Sequence, residues 1–157
     1  MLDKQRQPDH VRRALLTAFT FAPLSVFAQE KTKIEVWKTP SCGCCTDWIT
    51  HLHDNGFEVL VNDVSDTSLI RSKHRIPDEY ASCHSGLVHG YALEGHVPAK
   101  EIKRLLAEDP KVVGLVVPSM PLGSPGMDGP GFQGRKMPYD VLLIALDGAA
   151  SVYQTYQ

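Results

Sequence analysis

The sequence predicts a mixed α/β fold organised as one domain, and three observations lead to that prediction. Residues 33–38 alternate apolar and polar side chains, a pattern typical of a half-buried strand. The next segment places Trp48, Ile49 and Leu52 on one face of a helix, and residues 57–64 give a second strand pattern. This order of strand, helix and strand indicates a βαβ unit, and the chain is long enough for one hydrophobic core.

The first predicted helix covers residues 45–55 and begins at a cluster of cysteines. Ser41 is the expected N-cap, because its hydroxyl can accept a hydrogen bond from a free backbone N–H of the first turn. The helix is expected to end at Asn55-Gly56, since glycine often adopts the left-handed conformation just after a helix. The cysteines are therefore predicted to lie at a helix N-terminus.

The rest of the domain is predicted from shorter patterns. Residues 118–138 are rich in Gly and Pro, which favours an irregular loop, and this loop is long for a plain connection. The predicted elements around it are a helix at 67–74, a loop at 80–84, strands at 86–88 and 91–93 around a tight His89-Gly90 turn, a helix from Pro98 to about Glu108, an apolar segment at 112–117, and strands at 139–146 and 150–156. The last two strands would form a C-terminal extension of the domain.

Residues 1–28 predict an export signal rather than part of the fold. Residues 14–28 are mostly apolar and end in Val26-Phe27-Ala28, and four cationic residues precede them: Lys4, Arg6, Arg12 and Arg13. Cleavage is expected after Ala28, which would leave a domain of residues 29–157 in the periplasm and involve the membrane only in export. The Sec and twin-arginine routes both fit the Arg12-Arg13 pair, and an uncleaved membrane anchor is the alternative.

The charge balance excludes nucleic acid as the predicted partner. The chain has 16 Lys and Arg against 18 Asp and Glu, and the expected leader holds 4 and 2 of these. Residues 29–157 therefore carry 12 basic and 16 acidic side chains, a net charge of −4. A nucleic-acid-binding domain usually presents a basic stripe instead.

The four cysteines all lie in the expected exported domain. Three of them fall within four positions, so they cannot join distant chain segments as a structural disulfide framework would. Local clustering of this kind predicts a metal site or a redox site. The four residues are Cys42, Cys44, Cys45 and Cys83.

The predicted helix N-terminus favours the thiolate form of these cysteines. Free backbone N–H groups and the positive end of the helix dipole stabilise anions there, and the thiolate is the form that binds metals or attacks disulfides. Cys42 and Cys45 are three residues apart and can face one side of the first turn, whereas Cys44 points about 100° away from Cys45 on an ideal helix. We therefore hypothesise several metal ions with bridging sulfurs rather than a single ion held by all three thiolates.

The cysteine turn and a later hairpin resemble parts of the thioredoxin superfamily. Residues 37–45, Trp-Lys-Thr-Pro-Ser-Cys-Gly-Cys-Cys after a strand, resemble the redox turn, and residues 86–96 resemble the last hairpin of glutaredoxin-like members. In those proteins a cis-proline loop precedes the hairpin and faces the cysteine turn, but here that place is taken by Ser82-Cys83-His84. The resemblance implies that Cys83 and His84 lie against the cysteine turn, which favours metal binding over disulfide exchange.

A second resemblance covers most of residues 29–157. The matching segments are Cys-Gly-Cys-Cys at 42–45, Ser-Cys-His at 82–84, Glu-Gly-His-Val-Pro at 94–98, and Val-Pro-Ser-Met-Pro at 117–121 with Gly126-Met127. Together they resemble the exported DUF411 metal-binding family, which includes a copper-resistance protein. This resemblance implies a thioredoxin-like fold and a cuprous cluster bound through the cysteines. Storage, transfer and redox interconversion of copper, the last as a copper oxidoreductase, all fit it.

Methionines in the Gly/Pro-rich loop support the same metal on independent grounds. Thioethers and thiolates are soft donors that prefer Cu(I), whereas the paired Cys-x-x-Cys knuckles typical of structural zinc are missing. Met120 and Met127 are therefore predicted ligands beside the four cysteines and His84. Core filling is the alternative for both methionines and for Met137. His96 precedes a helix near the hairpin and is not included in the predicted ligand set.

The sequence thus predicts a protein that binds copper as Cu(I), with several ions as the favoured arrangement. Its expected partners are copper ions and other periplasmic copper-handling proteins. The alternative function is a thiol–disulfide oxidoreductase with Cys42 as nucleophile and Cys45 as resolving thiol. A zinc-stabilised binding module is a third reading.

Overall fold

A computed structural model describes residues 30–157 of the chain. The expected signal peptide, residues 1–28, and its cleavage after Ala28 lie outside the described residues. Within residues 30–157, no helix combines the length and apolar character needed to cross a membrane.

The described residues form seven strands and three α-helices. The strands are β1 (Lys33–Lys38), β2 (Glu58–Asp63), β3 (His84–Val88), β4 (Tyr91–Glu94), β5 (Gly114–Val116), β6 (Tyr139–Ile144) and β7 (Ala150–Tyr156). The helices are α1 (Gly43–Asp54), α2 (Ser68–Lys73) and α3 (Ala99–Glu108), and short 3₁₀ turns occur at Asp78–Tyr80 and Pro130–Phe132.

All seven strands belong to one mixed sheet with the order β2-β1-β3-β4-β5-β6-β7. β1 runs parallel to β2 and antiparallel to β3, and β3 forms an antiparallel hairpin with β4. β5 is parallel to β4, and β6 and β7 continue the sheet in antiparallel pairs with a register shift between Val141 and Leu142. The prediction of a single mixed α/β domain, with a closing strand pair, is confirmed.

The main hydrophobic core joins one face of the sheet to α1 and α3. It includes Ile34 of β1, Trp48 and Leu52 of α1, and Ile102 and Leu105 of α3, all fully buried. Side chains alternate between the two faces of a strand, so Ala92 of β4 packs instead in a smaller cluster on the opposite face. Apolar burial on both faces stabilises the sheet that carries the ends of β1 and β3.

Two boundaries near the cysteines differ from the sequence prediction. The prediction of Ser41 as N-cap is wrong, because α1 begins at Gly43 and Cys42 occupies the cap position without a side-chain capping hydrogen bond. His84, predicted to lie in a loop, is the first residue of β3 because it pairs with Lys38 of β1. Cys42 thus directly precedes α1, and Cys83 directly precedes β3.

The Gly/Pro-rich loop of residues 118–138 packs against the first turns of α1. Gly126 lies in the left-handed region, with φ of 85°, and an added Cβ would stand 2.6 Å from the carbonyl oxygen of Cys44 and 2.7 Å from the nitrogen of Trp48. Only glycine fits such a close approach of two backbones without strain. The loop is therefore held over the cysteine turn.

The C-terminal strands are fastened to α3 by tyrosines. The hydroxyl of Tyr156 donates a hydrogen bond to buried Glu101 at 2.8 Å, and the hydroxyl of Tyr153 donates to Glu108 at 2.8 Å. The ring of Tyr156 also stacks on Tyr139, with centroids 4.9 Å apart. These contacts fix the extension to the body of the domain.

We expect Gly126→Ala to lower the free energy of unfolding by about 1–3 kcal/mol, because a left-handed non-glycine residue is strained and its Cβ meets the α1 backbone. Urea denaturation followed by circular dichroism measures this change. Gly131→Ala in the same loop is the matched control, since an added Cβ there meets nothing within 4 Å. Its stability should stay within about 0.5 kcal/mol of the parent. Equal stabilities of the two variants would contradict the packing of this loop on α1.

Candidate metal centre

Four cysteine sulfurs gather between the start of α1 and the start of β3. Three come from the turn that opens α1, and the fourth comes from the segment just before β3. The sulfur atoms all lie within 4.8 Å of one another. The four residues are Cys42, Cys44, Cys45 and Cys83.

The cysteines divide into a bonded pair and a free pair. Cys42 and Cys45 form a disulfide, whereas Cys44 and Cys83 are free thiols. The Sγ of Cys44 lies 3.6 Å from that of Cys42 and 4.0 Å from that of Cys83. The free pair thus adjoins the disulfide directly.

The position of Cys42 before the helix places its Sγ 3.6 Å from that of Cys44. An ideal helix would separate Cys44 from Cys45 by about 100°. Cys42, however, is the extended residue before the helix, with φ of −78° and ψ of 95°, and its side chain therefore does not follow the helical rotation. The three sulfurs of the turn therefore lie within 4.8 Å of one another, although Cys44 and Cys45 occupy successive helical positions.

Two buried histidines extend the cluster beyond Cys83. The Sγ of Cys83 lies 3.3 Å from Nδ1 of His84 and 3.3 Å from Nε2 of His96. The three ligand atoms form a second group that could hold a metal ion. His96 has a defined orientation, because its Nδ1 lies 2.8 Å from the carbonyl oxygen of Pro125. An N–H donated to this carbonyl leaves the Nε2 lone pair directed at Cys83.

The sequence prediction omitted His96, although the hairpin register contains the necessary signal. β3 and β4 pair Val88 with Tyr91 and Ser85 with Glu94. Continuing the same register by two residues places position 96 opposite position 83. The tight turn predicted at His89-Gly90 already fixes this register, since a two-residue hairpin turn determines which residues face each other.

Burial keeps both imidazoles neutral. Burial, with a smaller effect from His96, lowers the pKa of His84 to about 3, and burial also lowers the pKa of His96. A neutral imidazole offers a lone pair to a metal ion, whereas the charged form does not. The Nε2 of His84 is buried and has no hydrogen-bond partner within the described part of the chain, while its ring packs 4.3 Å from that of Trp48.

The electrostatic environment of Cys83 opposes a free thiolate. Burial, followed by the effect of neighbouring Cys44, raises the pKa of Cys83 to about 12. A thiol with this pKa is protonated at neutral pH and is a poor nucleophile, so disulfide exchange at Cys83 is disfavoured. A metal ion that binds Cys83 would have to displace its proton.

A buried carboxylate positions the segment that carries Cys83. Glu94 of β4 is fully buried, and it accepts hydrogen bonds from the backbone N–H of Ser82 at 2.8 Å and from the hydroxyl of Ser85 at 2.6 Å. Arg71 of α2 lies 3.6 Å from the same carboxylate. The Ser82 hydroxyl in turn donates to the carbonyl of Ser119, which ties the Cys83 segment to the loop of residues 118–138.

The predicted methionine ligands occupy different environments. Met120 is half-exposed, and its Sδ lies 4.0 Å from the Sγ of Cys44. Within residues 30–157, no other methionine sulfur comes as close to a cysteine sulfur as that of Met120. Met127 is buried with 8% of its surface exposed, whereas Met137 is half-exposed and shares with Met120 the wall of a cavity of about 410 Å³.

The geometry therefore offers a group of soft donors at the surface with imidazoles behind them. Thiolate and thioether sulfurs suit soft metal ions, and imidazole nitrogen is a common additional ligand. The described residues form a Cys/His cluster able to hold a metal ion. The same cluster contains a disulfide that a reductant could open.

Comparison with known proteins identifies relatives of the chain. A family model described as "Protein of unknown function, DUF411" matches residues 80–127, the stretch from the Cys83 segment to Met127. No curated protein matches the sequence.

Two solved structures are similar to the chain over almost its whole described length. A structure named copper resistance protein CopG, form 2, superposes with a TM-score of 0.76 and 41% sequence identity, and covers 82% of this chain and 100% of that chain. Form 1 of the protein of that name superposes with a TM-score of 0.75 and 42% identity, and covers 81% of this chain and 98% of that chain. At this identity and coverage, the chain belongs to the DUF411 family, together with the CopG proteins to which it is similar.

Proposed function

We propose that this chain is a periplasmic copper-binding protein that holds Cu(I) for copper resistance, transfer or redox interconversion. The observation that carries the proposal is the gathering of four cysteine sulfurs within 4.8 Å of one another. The half-exposed thioether of Met120, 4.0 Å from Cys44, adds a soft donor on the solvent side. The names of the two solved relatives agree with copper as the metal.

The donor set favours Cu(I) over harder or borderline ions. Its members are thiolates once the cysteines are deprotonated, one thioether and neutral imidazoles, while no carboxylate belongs to either of the two ligand groups found among residues 30–157. Soft sulfur donors select Cu(I), whereas Mg²⁺ and Ca²⁺ require oxygen. Zinc accepts thiolates as well, but the thioether beside Cys44 is a donor that suits copper better.

We propose a multinuclear site in the fully reduced protein. Opening the disulfide would provide four thiols in one compact group, and a thiolate sulfur has enough lone pairs to bridge two ions. His84, which lies 3.3 Å from Cys83 through Nδ1, is proposed as an additional ligand or as a hydrogen-bond partner that orients Cys83. The more of these sulfurs bridge two Cu(I) ions, the more ions the site can hold.

We further propose that β1 to β4 with α1 and α3 form a thioredoxin-like unit. Support comes from the order β2-β1-β3-β4, with β1 parallel to β2 and the β3–β4 hairpin antiparallel to it. The cysteine turn stands between β1 and α1, as the redox turn does in that superfamily. Cys83 then takes the place of the proline that faces this turn.

Export to the periplasm is proposed from the leader pattern of the sequence. The basic start, the apolar run and the ending at Ala28 support cleavage there, which would leave residues 29–157 as the working domain. Other copper-handling proteins of the same compartment are the proposed exchange partners.

A second candidate function is thiol–disulfide exchange, and the disulfide between Cys42 and Cys45 favours it. Cys42 would be the nucleophile and Cys45 the resolving thiol. Two features argue against this candidate. A third thiol, Cys44, lies with its sulfur 3.6 Å from that of Cys42. The position that faces the cysteine turn is occupied by Cys83, a thiol with a raised pKa.

Cys83→Ser and Cys44→Ser should each sharply lower the number of Cu(I) ions bound by the reduced protein, because each removes a central sulfur. Anaerobic titration of the reduced protein with Cu(I) against a competing chelator measures this number. If thiol–disulfide exchange is the function instead, both variants should keep insulin-reductase activity while Cys42→Ser abolishes it. Less than one tightly bound Cu(I) in the parent protein would refute the copper proposal.

Met120→Leu should weaken Cu(I) binding by about tenfold or more, a loss of ~1.4 kcal/mol, because it removes the thioether beside Cys44. Met127→Leu is the matched comparison, since Met127 is buried in the core, and it should leave the affinity nearly unchanged. The same chelator competition reports both values. Equal losses in the two variants would contradict this distinction and favour the sequence-based prediction that both methionines bind.

A further inference from the structure

We infer that the disulfide form of this chain is itself a copper-binding form, with one Cu(I) site made by Cys44, Cys83, Met120 and His96. Opening the disulfide between Cys42 and Cys45 would then enlarge this site rather than create it. The inference rests on the proposed function, because it assigns a state-dependent capacity to the same cluster. The oxidation state of one cysteine pair would thus set how much copper the protein holds.

The disulfide removes two of the four sulfurs from metal binding. A sulfur in a disulfide carries no ionisable proton and is a much weaker ligand than a thiolate. Cys44 and Cys83 remain free in the same structure and lie next to each other. When the disulfide forms, the two thiols that remain free are therefore neighbours that could bind the same ion.

The spacing of the free pair suits a single metal ion. A metal–thiolate bond is about 2.3 Å long, taking the value for zinc, so two thiolates in a trigonal arrangement stand about 4.0 Å apart. The Sγ atoms of Cys44 and Cys83 are 4.0 Å apart. One ion between them would need little movement of either side chain.

Two further donors adjoin this pair, one beside each cysteine. The thioether of Met120 lies 4.0 Å from Cys44 on the exposed side, and Nε2 of His96 lies 3.3 Å from Cys83 on the buried side. The contact of Nδ1 of His96 with the Pro125 carbonyl at 2.8 Å holds the ring in place. These four residues come from different segments, and none of them is a member of the disulfide.

Reduction would add sulfurs at the edge of the same site. A dithiol reductant that attacks the disulfide gives up two electrons and two protons, becomes a disulfide itself, and leaves Cys42 and Cys45 as two thiols. Each new thiol can then exchange its proton for Cu(I). Because the Sγ of Cys42 is 3.6 Å from that of Cys44, the added ions would share sulfurs with the first one.

The test is an anaerobic Cu(I) titration of the purified protein in two forms, with a competing chelator. The disulfide form is defined by two free thiols after denaturation and the reduced form by four, and the thiols are counted again after the titration. We expect one Cu(I) per disulfide-form chain and more than one per reduced chain. No tight binding by the disulfide form, or the same stoichiometry in both forms, would overturn the inference.

Variants separate the four-residue site from the rest of the cluster. The double variant Cys42→Ser/Cys45→Ser should keep one tightly bound Cu(I), because it lacks only the disulfide sulfurs. His96→Gln should weaken binding by the disulfide form about tenfold or more, and His89→Gln, at an exposed turn, is the matched control with unchanged affinity. Equal affinities of the two histidine variants would remove His96 from the site and overturn the assignment.

The outcomes distinguish this inference from the proposed function. Several Cu(I) ions in the reduced chain with none in the disulfide form would refute only the inference made here. An absence of tight Cu(I) binding in both forms would refute the proposed function as well.

Discussion

Strand β3 pairs with β1 on one side and with β4 on the other, and this double pairing determines where the second half of the site lies. The pairing of His84 with Lys38 brings the start of β3 to the end of β1, where the cysteine turn begins. The pairing of Ser85 with Glu94 brings the residues after β4 to the same place. Cys83 therefore meets the cysteine turn and His96 together, although these residues are far apart in the sequence. A register shift of one residue would turn these side chains to the opposite face of the sheet.

Polar contacts around the start of β3 and the end of β4 keep this meeting point in position. The buried carboxylate of Glu94 accepts the backbone N–H of Ser82, and Arg71 lies beside it. Burial raises the pKa of Glu94, while the hydrogen bonds and Arg71 act against that rise. On the other side of the cysteines, Gly126 lets the methionine-bearing loop approach α1 closely. The site thus lies between two sets of contacts, those of Glu94 behind Cys83 and those of Gly126 against α1.

Local patterns predicted the elements well, whereas contacts between elements were harder to predict. The bounds of β1 follow from the alternation of apolar and polar residues at 33–38. The turn between β3 and β4 follows from His89-Gly90. The prediction of Ser41 as N-cap fails because Cys42 takes the cap position without a capping side chain. The proximity of His96 to Cys83 depends on the hairpin register, and no local sequence motif includes both residues. The different environments of Met120 and Met127 depend on the path of an irregular loop, and no periodic pattern encodes that path.

Copper K-edge X-ray absorption of the reduced, Cu(I)-loaded protein would show whether the cysteine sulfurs hold copper as Cu(I) in a compact group, as we propose. We expect an edge typical of Cu(I), a first coordination shell dominated by sulfur and a short copper–copper distance. The sulfur shell would reflect the four cysteines that lie within 4.8 Å of one another. A first shell of nitrogen and oxygen alone would refute copper binding by the cysteine sulfurs.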